Sequence, residues 1–251
     1  AKDIGTQLIL GSIRDILAPP SKPAKAIYAD QMIARFYDGV LVHSDAALMP
    51  LSLSWPVSAE LDPSLHYTGF VAAAPPLLHP EKAGLGEVIV SAGGGDIGAK
   101  VFKVAIGAAA LDPNRVWRIL VGGAQAQSQI ENLGQTAPSN VCIEPARSDF
   151  RQMLNHADVS VSMCGYNTAL DVLQTGVSAV FVPFDEGGEV EQSLRSEALS
   201  KQPNITVLKD AELSTKFLIA AVQESALSRT TDKTTSRFEG TTNTVNIVET
   251  M

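Results

Sequence analysis

The sequence predicts an α/β fold: a Rossmann-like, doubly wound parallel sheet preceded by a partial second α/β unit. Three observations carry this expectation. From residue 87 onward, short Val/Ile-rich runs alternate with stretches of helical spacing, the pattern of a parallel sheet covered on both faces. The first of those runs enters a glycine-rich turn, Gly93-Gly94-Gly95-Asp96-Ile97-Gly98, and then a helical stretch. Residues 1–72 carry only a few strand-like runs, too little to bury a comfortable core alone.

Taken in order, residues 7–13 read as a strand and 28–36 as a helix. Residues 38–42 form a short apolar run of the fully buried kind, and 65–71 form another. The segment 71–86 holds Pro75, Pro76 and Pro80 and ends in glycines, so 73–86 reads as a linker. Strand 87–91, helix 99–110, a turn at Asp112-Pro113-Asn114 and strand 116–121 follow. Residues 125–136 are polar and fit either a loop or a helix. Strand 140–144, helix 149–157, strand 158–162 and helix 167–175 come next, the last stopped by Gly176. Strand 178–183, helix 189–201, strand 205–208 and helix 212–225 complete a domain bounded at 87–227. Residues 228–251 start as a Thr- and Ser-rich tail, expected to be mobile, and end in a short helix.

Composition excludes several classes. The chain is 45% hydrophobic and 18% charged, a globular balance rather than a disordered one. No apolar run approaches the ~20 residues of a membrane helix. A net charge of −8 and a pI of about 5.0 speak against nucleic acid, but not against a small anion held by backbone amides. Two cysteines, Cys142 and Cys164, are too few for a disulfide scaffold, and a reducing cytoplasm is expected. His43, His66, His79 and His156 lack metal-ligand spacing, so no metal site is expected. The chain opens Ala1-Lys2-Asp3 without Met or a signal-peptide pattern, and we expect it to be a piece of a longer protein.

In a doubly wound sheet, ligands bind beyond the carboxyl ends of the strands, so the strand-to-helix turns hold the candidates. The turn 91–98 matches G-x-G-x-x-G at Gly93, Gly95 and Gly98, and Gly94 and Gly95 admit an anion close to the backbone. A dinucleotide would need an acid ending the second strand, which instead runs into Gly122-Gly123. A tight turn packing helix on strand is the other reading. In the turn 162–171, Gly165, Tyr166, Asn167 and Thr168 can present N–H groups to a phosphate, or Asn167 or Thr168 can cap the helix. Asp171, one turn in, suits a ribose diol or a surface salt bridge. Cys164 lacks a G-x-S-x-G frame and reads as a small buried thiol. In the turn 183–192, Glu191 and Gln192 suit sugar hydroxyls, or simply a helix N-terminus that favours acids. In the turn 144–149, the backbone of Pro145 and Ala146 can meet a base edge, while Arg147 can pair with a phosphate or with Asp149. His43, ending its strand, is a base candidate or a satisfied structural histidine.

These turns together resemble the donor-binding half of a GT-B glycosyltransferase, and family 28 in particular. The stretch from Gly165 through Thr168, Asp171 and Gly176 to Pro183 and Phe184, with Glu191-Gln192 after it, is similar to the family's G-x-x-T-x-x-E-x-x-x-x-G-x-P-x-x-x-x-P motif and its later sugar-facing Gln. Asp171 stands where the family has Glu, and Ser178 where it has Pro. Ser12 to Leu17 and Tyr37 to His43 resemble an uncharacterised bacterial branch of predicted glycosyltransferases. The resemblance implies a nucleotide-sugar donor, most naturally UDP-linked, as substrate rather than cofactor. It places Gly94, Gly95 and Gly165–Thr168 at the diphosphate, Asp171 at the ribose, Pro145–Arg147 at the uracil, and Glu191 and Gln192 at the sugar. It implies inverting, metal-independent transfer of a hexosyl group to an unknown acceptor, in the cytoplasm or peripheral to the membrane. A preceding segment or a partner chain would supply the rest of the acceptor side. A nucleotide-sugar hydrolase or epimerase, and a non-catalytic nucleotide-binding module, are the alternatives on the same fold.

Overall fold

The computed structural model describes residues 8–94, 98–184, 188–228 and 235–251. The chain forms two compact units. The first comprises Ala1–Ala73, Glu189–Ala198 and Thr234–Met251, the second Ala74–Gly188 and Leu199–Lys233.

The first unit is built on three parallel strands, β1 (Leu10–Arg14), β2 (Gly39–His43) and β3 (Leu65–Tyr67), in that order. Helix α1 (Pro23–Phe36) makes the crossover from β1 to β2, with proline in its first turn where its missing N–H costs nothing. Strand β3 stops earlier than its apolar run suggests, because Gly69 leaves the extended region at φ 80°. The expected C-terminal helix is present, while residues 229–234 of the Thr-rich stretch before it lie outside the described residues. Helix α8 (Gly240–Thr250) belongs to this unit and is seated on the chain just after β3. Asn243 Nδ2 donates to Thr68 O at 2.9 Å, and Phe70 N donates to Arg237 O at 2.7 Å. Gly240 lies so flat on this backbone that a Cβ would come 2.6 Å from Phe70 O. Asp15 and Arg195, also within this unit, form an ion pair with both side chains out of solvent.

The second unit is a six-stranded, all-parallel sheet of order β6-β5-β4-β7-β8-β9. Its strands are β4 (Val88–Gly94), β5 (Trp117–Gly122), β6 (Val141–Pro145), β7 (Val159–Ser162), β8 (Ser178–Phe181) and β9 (Ile205–Val207). Its helices are α2 (Gly98–Ala110), α3 (Ala126–Gly134), α4 (Phe150–Leu154), α5 (Tyr166–Thr175) and α7 (Thr215–Ala226); α6 (Glu191–Leu199) runs from the first unit into it. The order reverses between β4 and β7, which makes their carboxyl ends the topological switch point. Alternation sorts the sheet's faces. Val88, Val90, Trp117, Ile119, Val121, Val159 and Val161 share one core with α2 and α7 residues such as Phe102 and Leu218.

Several expectations shift. The polar stretch 125–136 is helical. The helix expected over 149–157 is only α4, and α7 starts later than expected because Ser214 caps it, accepting from Phe217 N at 3.4 Å. Residues 74–86 are docked on the second unit rather than spanning freely as a linker. Asn155 Nδ2 donates to Pro76 O at 3.2 Å and Leu77 O at 3.3 Å, and Gly86 N donates to His156 O at 3.2 Å.

Candidate functional site

The switch point is built from two strand ends. On β4, the ladder shifts register between Ser91 and Gly94, and Gly94 pairs with Gly122. Gly95, Asp96 and Ile97 lie outside the described residues. Gly98 opens α2, and a Cβ there would sit 2.5 Å from Ala92 O. The third glycine of the motif therefore serves close helix-on-strand packing.

On β7, Ser162 ends the strand and Gly165 is the N-cap of α5, with φ −65° and ψ 154°. Tyr166, Asn167 and Thr168 form the first turn, so neither Asn167 nor Thr168 is the cap, as the sequence reading allowed. Gly165 offers no side-chain acceptor to the first-turn N–H groups, and the space where its Cβ would be is open. A glycine-capped helix start at the switch point suits an anion. The far end of α5 closes at Gly176, left-handed at φ 66°.

Asp171 lies in the second turn of α5, partly buried, and forms the salt bridge that was one of the two expectations for it. Its side chain is 14% exposed, and its Oδ1 accepts from Arg151 Nε at 2.5 Å. Burial pushes its pKa up, while the Arg151 guanidinium pulls it back down. Arg151 went unnoticed in the sequence because nothing in the spacing of α4 ties it to α5.

At the end of β6, Pro145 and Ala146 are exposed, but Ala146 N already donates to Val121 O at 2.9 Å. A base edge there would meet the other backbone groups of the turn. Arg147 does not reach out as a free phosphate ligand: Nε and NH2 pair with Asp149 Oδ1 and Oδ2 at 2.8 and 2.6 Å. Asp149 Oδ2 also lies 3.0 Å from His79 Nε2. His79 Nδ1 accepts from the N–H groups of Glu81 and Ala83, so Nε2 carries the proton and donates. The chain of charges continues inward through Glu144 to Arg118, which grips Glu87 at 2.6 and 2.7 Å.

Arg147, with His79 behind it, holds the Asp149 carboxyl well below the usual carboxylate range. A depressed folded-state pKa means that this carboxylate stabilises the fold above about pH 4, an advantage lost as pH falls through the folded value. Stepped-pH thermal melts should therefore show the wild type losing stability below about pH 5 more steeply than Asp149→Asn. Equal slopes would remove Asp149 from the acid response.

Glu191 is the first residue of α6 and lies 3.4 Å from Arg14 NH2. Glu191 and Gln192 belong to the first unit, whereas Gly94, Gly165–Thr168 and Asp171 belong to the second. Asp185 and Glu186 lie outside the described residues. Cys164 is buried.

His43 is held on both ring nitrogens. Thr68 Oγ1 donates to Gly69 O at 2.7 Å, so it accepts from His43 Nδ1 at 2.9 Å. In the neutral ring, Nε2 then keeps its lone pair and accepts from Ser12 Oγ at 2.9 Å. Burial pushes the His43 pKa down, which favours this neutral form. The imidazole is structurally satisfied, its single lone pair taken by Ser12. Among the described residues, no three His, Cys, Asp or Glu side chains gather as a metal site.

A six-stranded parallel sheet in this order, with a glycine-capped helix at its switch point, is a Rossmann-like doubly wound fold, the architecture found in GT-B glycosyltransferases. Solved structures share that fold. The calicheamicin glycosyltransferase matches 93% of this chain over 57% of its own, with TM-score 0.57 and 17% identity. MurG of Acinetobacter baumannii matches 90% of this chain over 77% of its own, with TM-score 0.53 and 18% identity. Residues 93–251 match the glycosyltransferase family 28 C-terminal domain, and the chain belongs to that family. The UDP-N-acetylglucosamine--N-acetylmuramyl-(pentapeptide) pyrophosphoryl-undecaprenol N-acetylglucosamine transferases of Burkholderia mallei and Burkholderia pseudomallei are 27% identical over 88 residues. That stretch is 35% of this chain and 24% of theirs, so the match spans about a quarter of these relatives.

Proposed function

We propose that this chain carries the donor-binding half of an inverting, metal-independent glycosyltransferase that moves a hexosyl group from a UDP-sugar to an acceptor hydroxyl. The observation that carries the reading is the start of α5. A helix capped by a side-chain-less residue opens at the switch point, with a carboxylate one turn in, in a chain of family 28. The diphosphate meets Gly94 and the N–H groups of Gly165–Thr168, where the α5 dipole and amides stabilise the leaving group without a metal ion; Gly95, which the family resemblance also assigns there, lies outside the described residues. Asp171 accepts from the ribose, and the turn at Pro145–Arg147 meets the uracil through its backbone. The family resemblance assigns Glu191 and Gln192, on the first unit, to the sugar. His43 has both ring nitrogens engaged, by Thr68 and Ser12, which favours its structural reading, so the base and the remaining acceptor side come from further residues of the protein or from a partner chain. The protein acts in the cytoplasm or at the membrane surface; among the described residues no helix is long and apolar enough to cross a membrane.

Calorimetric titration with UDP, ADP and NADH tests the reading. Wild type should bind UDP selectively, and Asp171→Ala should weaken UDP by about 1–3 kcal/mol, roughly 5- to 150-fold. Equal or absent binding of all three nucleotides would refute it.

A further inference from the structure

We infer that Arg151 is a positioning residue of the donor site: it fixes the Asp171 carboxylate so that ribose is read by an oxygen already set in place. The inference rests on the donor-site reading above and adds a residue that the family motif does not contain. The geometry is a three-point clamp within the second unit. Arg151 Nε donates to Asp171 Oδ1 at 2.5 Å, and NH2 donates to Gln174 Oε1 at 2.7 Å and to Ala74 O at 3.1 Å. Asp171 and Gln174 are one turn apart on α5, and Arg151 stands on α4. The guanidinium therefore joins two helices and the docked segment before β4.

A carboxylate at the end of a short aspartate side chain has two torsions to fix. With Oδ1 bound to a planar guanidinium, that freedom is removed before any ligand arrives. The clamp also sets the count. One Asp171 oxygen already carries a charge-assisted bond, so the ribose contact falls chiefly to Oδ2. The Arg151 guanidinium offsets part of the burial that pushes the Asp171 pKa up, and a charged acceptor binds a hydroxyl more strongly than a neutral one. Its contribution to nucleotide binding should then appear only when the ribose hydroxyl is present.

The test compares UDP with 2′-deoxy-UDP by calorimetry on the whole chain, for wild type, Arg151→Met and Arg151→Lys, with thermal melts confirming that each variant is folded. Wild type should prefer UDP by about tenfold, as expected for one hydrogen bond to a charged group. In Arg151→Met the preference should collapse to about twofold or less while 2′-deoxy-UDP affinity stays near wild type, and Arg151→Lys should restore part of it. Retention of the full preference in Arg151→Met, or an equal loss for both nucleotides, would overturn the inference and leave Arg151 a structural tie. Failure of wild-type protein to bind UDP, or to prefer it over the deoxy form, would instead overturn the ribose role of Asp171 on which the inference rests.

Discussion

Asp15→Ala should destabilise the protein by about 3–5 kcal/mol, measured as a shift of the urea-unfolding midpoint. Asp15 is fully buried and Arg195 is 2% exposed. Arg195 Nε and NH2 donate to the two Asp15 oxygens at 2.7 and 3.1 Å. Removing the carboxylate takes from a buried guanidinium both hydrogen bonds and the counter-charge that Asp15 supplies, and that loss is the main penalty. The replacement Asp15→Leu with Arg195→Met should recover most of the loss, because two apolar side chains of similar volume avoid desolvating any charge. A single-variant loss under about 1 kcal/mol would show that water reaches Arg195 and that the pair is screened like a surface one.

Trp117→Ala should cost a comparable amount, about 3–5 kcal/mol, in the second unit. Trp117 opens β5 between β4 and β6, pairs with Val88 and Val141, and is completely buried in the core shared with α2. Truncation empties the largest buried side chain of the sheet and also removes the donor that Asp112 Oδ2 accepts from at 3.2 Å. Trp117→Phe separates the two effects, since it keeps most of the volume and loses the hydrogen bond. It should cost about 1–2 kcal/mol, and a cost equal to that of alanine would mean the Nε1–Asp112 bond dominates.

The parallel sheet was legible because its strands are buried on both faces and so read as unbroken apolar runs; β2, with Val40, Leu41 and Val42 all buried, shows why. The turns that bear the candidate site were legible for a related reason: glycine at Gly98 and Gly165 answers a local demand for close approach or open space. Contacts made at long sequence separation were not legible. Arg195 carries no local mark of a partner 180 positions away, nor Arg151 of Asp171 on another helix. The segment 74–86 has the composition of a linker, yet Asn155 and Arg151 satisfy its carbonyls, and no composition rule registers a donor supplied from elsewhere. The C-terminal helix was legible, but its seat was not: the close fit of Gly240 on Phe70 is a tertiary contact that composition does not register.

That α8 and the start of α6 belong with β1, β2 and β3 bears on how the protein is made. The second unit has five of its strands, β4 to β8, inside the single stretch Ala74–Gly188, with only β9 still to be added later. The first unit draws on three separated stretches, and one of its helices, α8, is translated after every strand of the chain. On a ribosome, where domains close as their residues emerge, the second unit can assemble most of its sheet while β1 to β3 still lack two of their helical partners. Within this stretch of chain, β1 to β3 precede helices α6 and α8 that pack in their unit, so their short parallel strands wait for those helices as an unfinished surface exposed to chaperones.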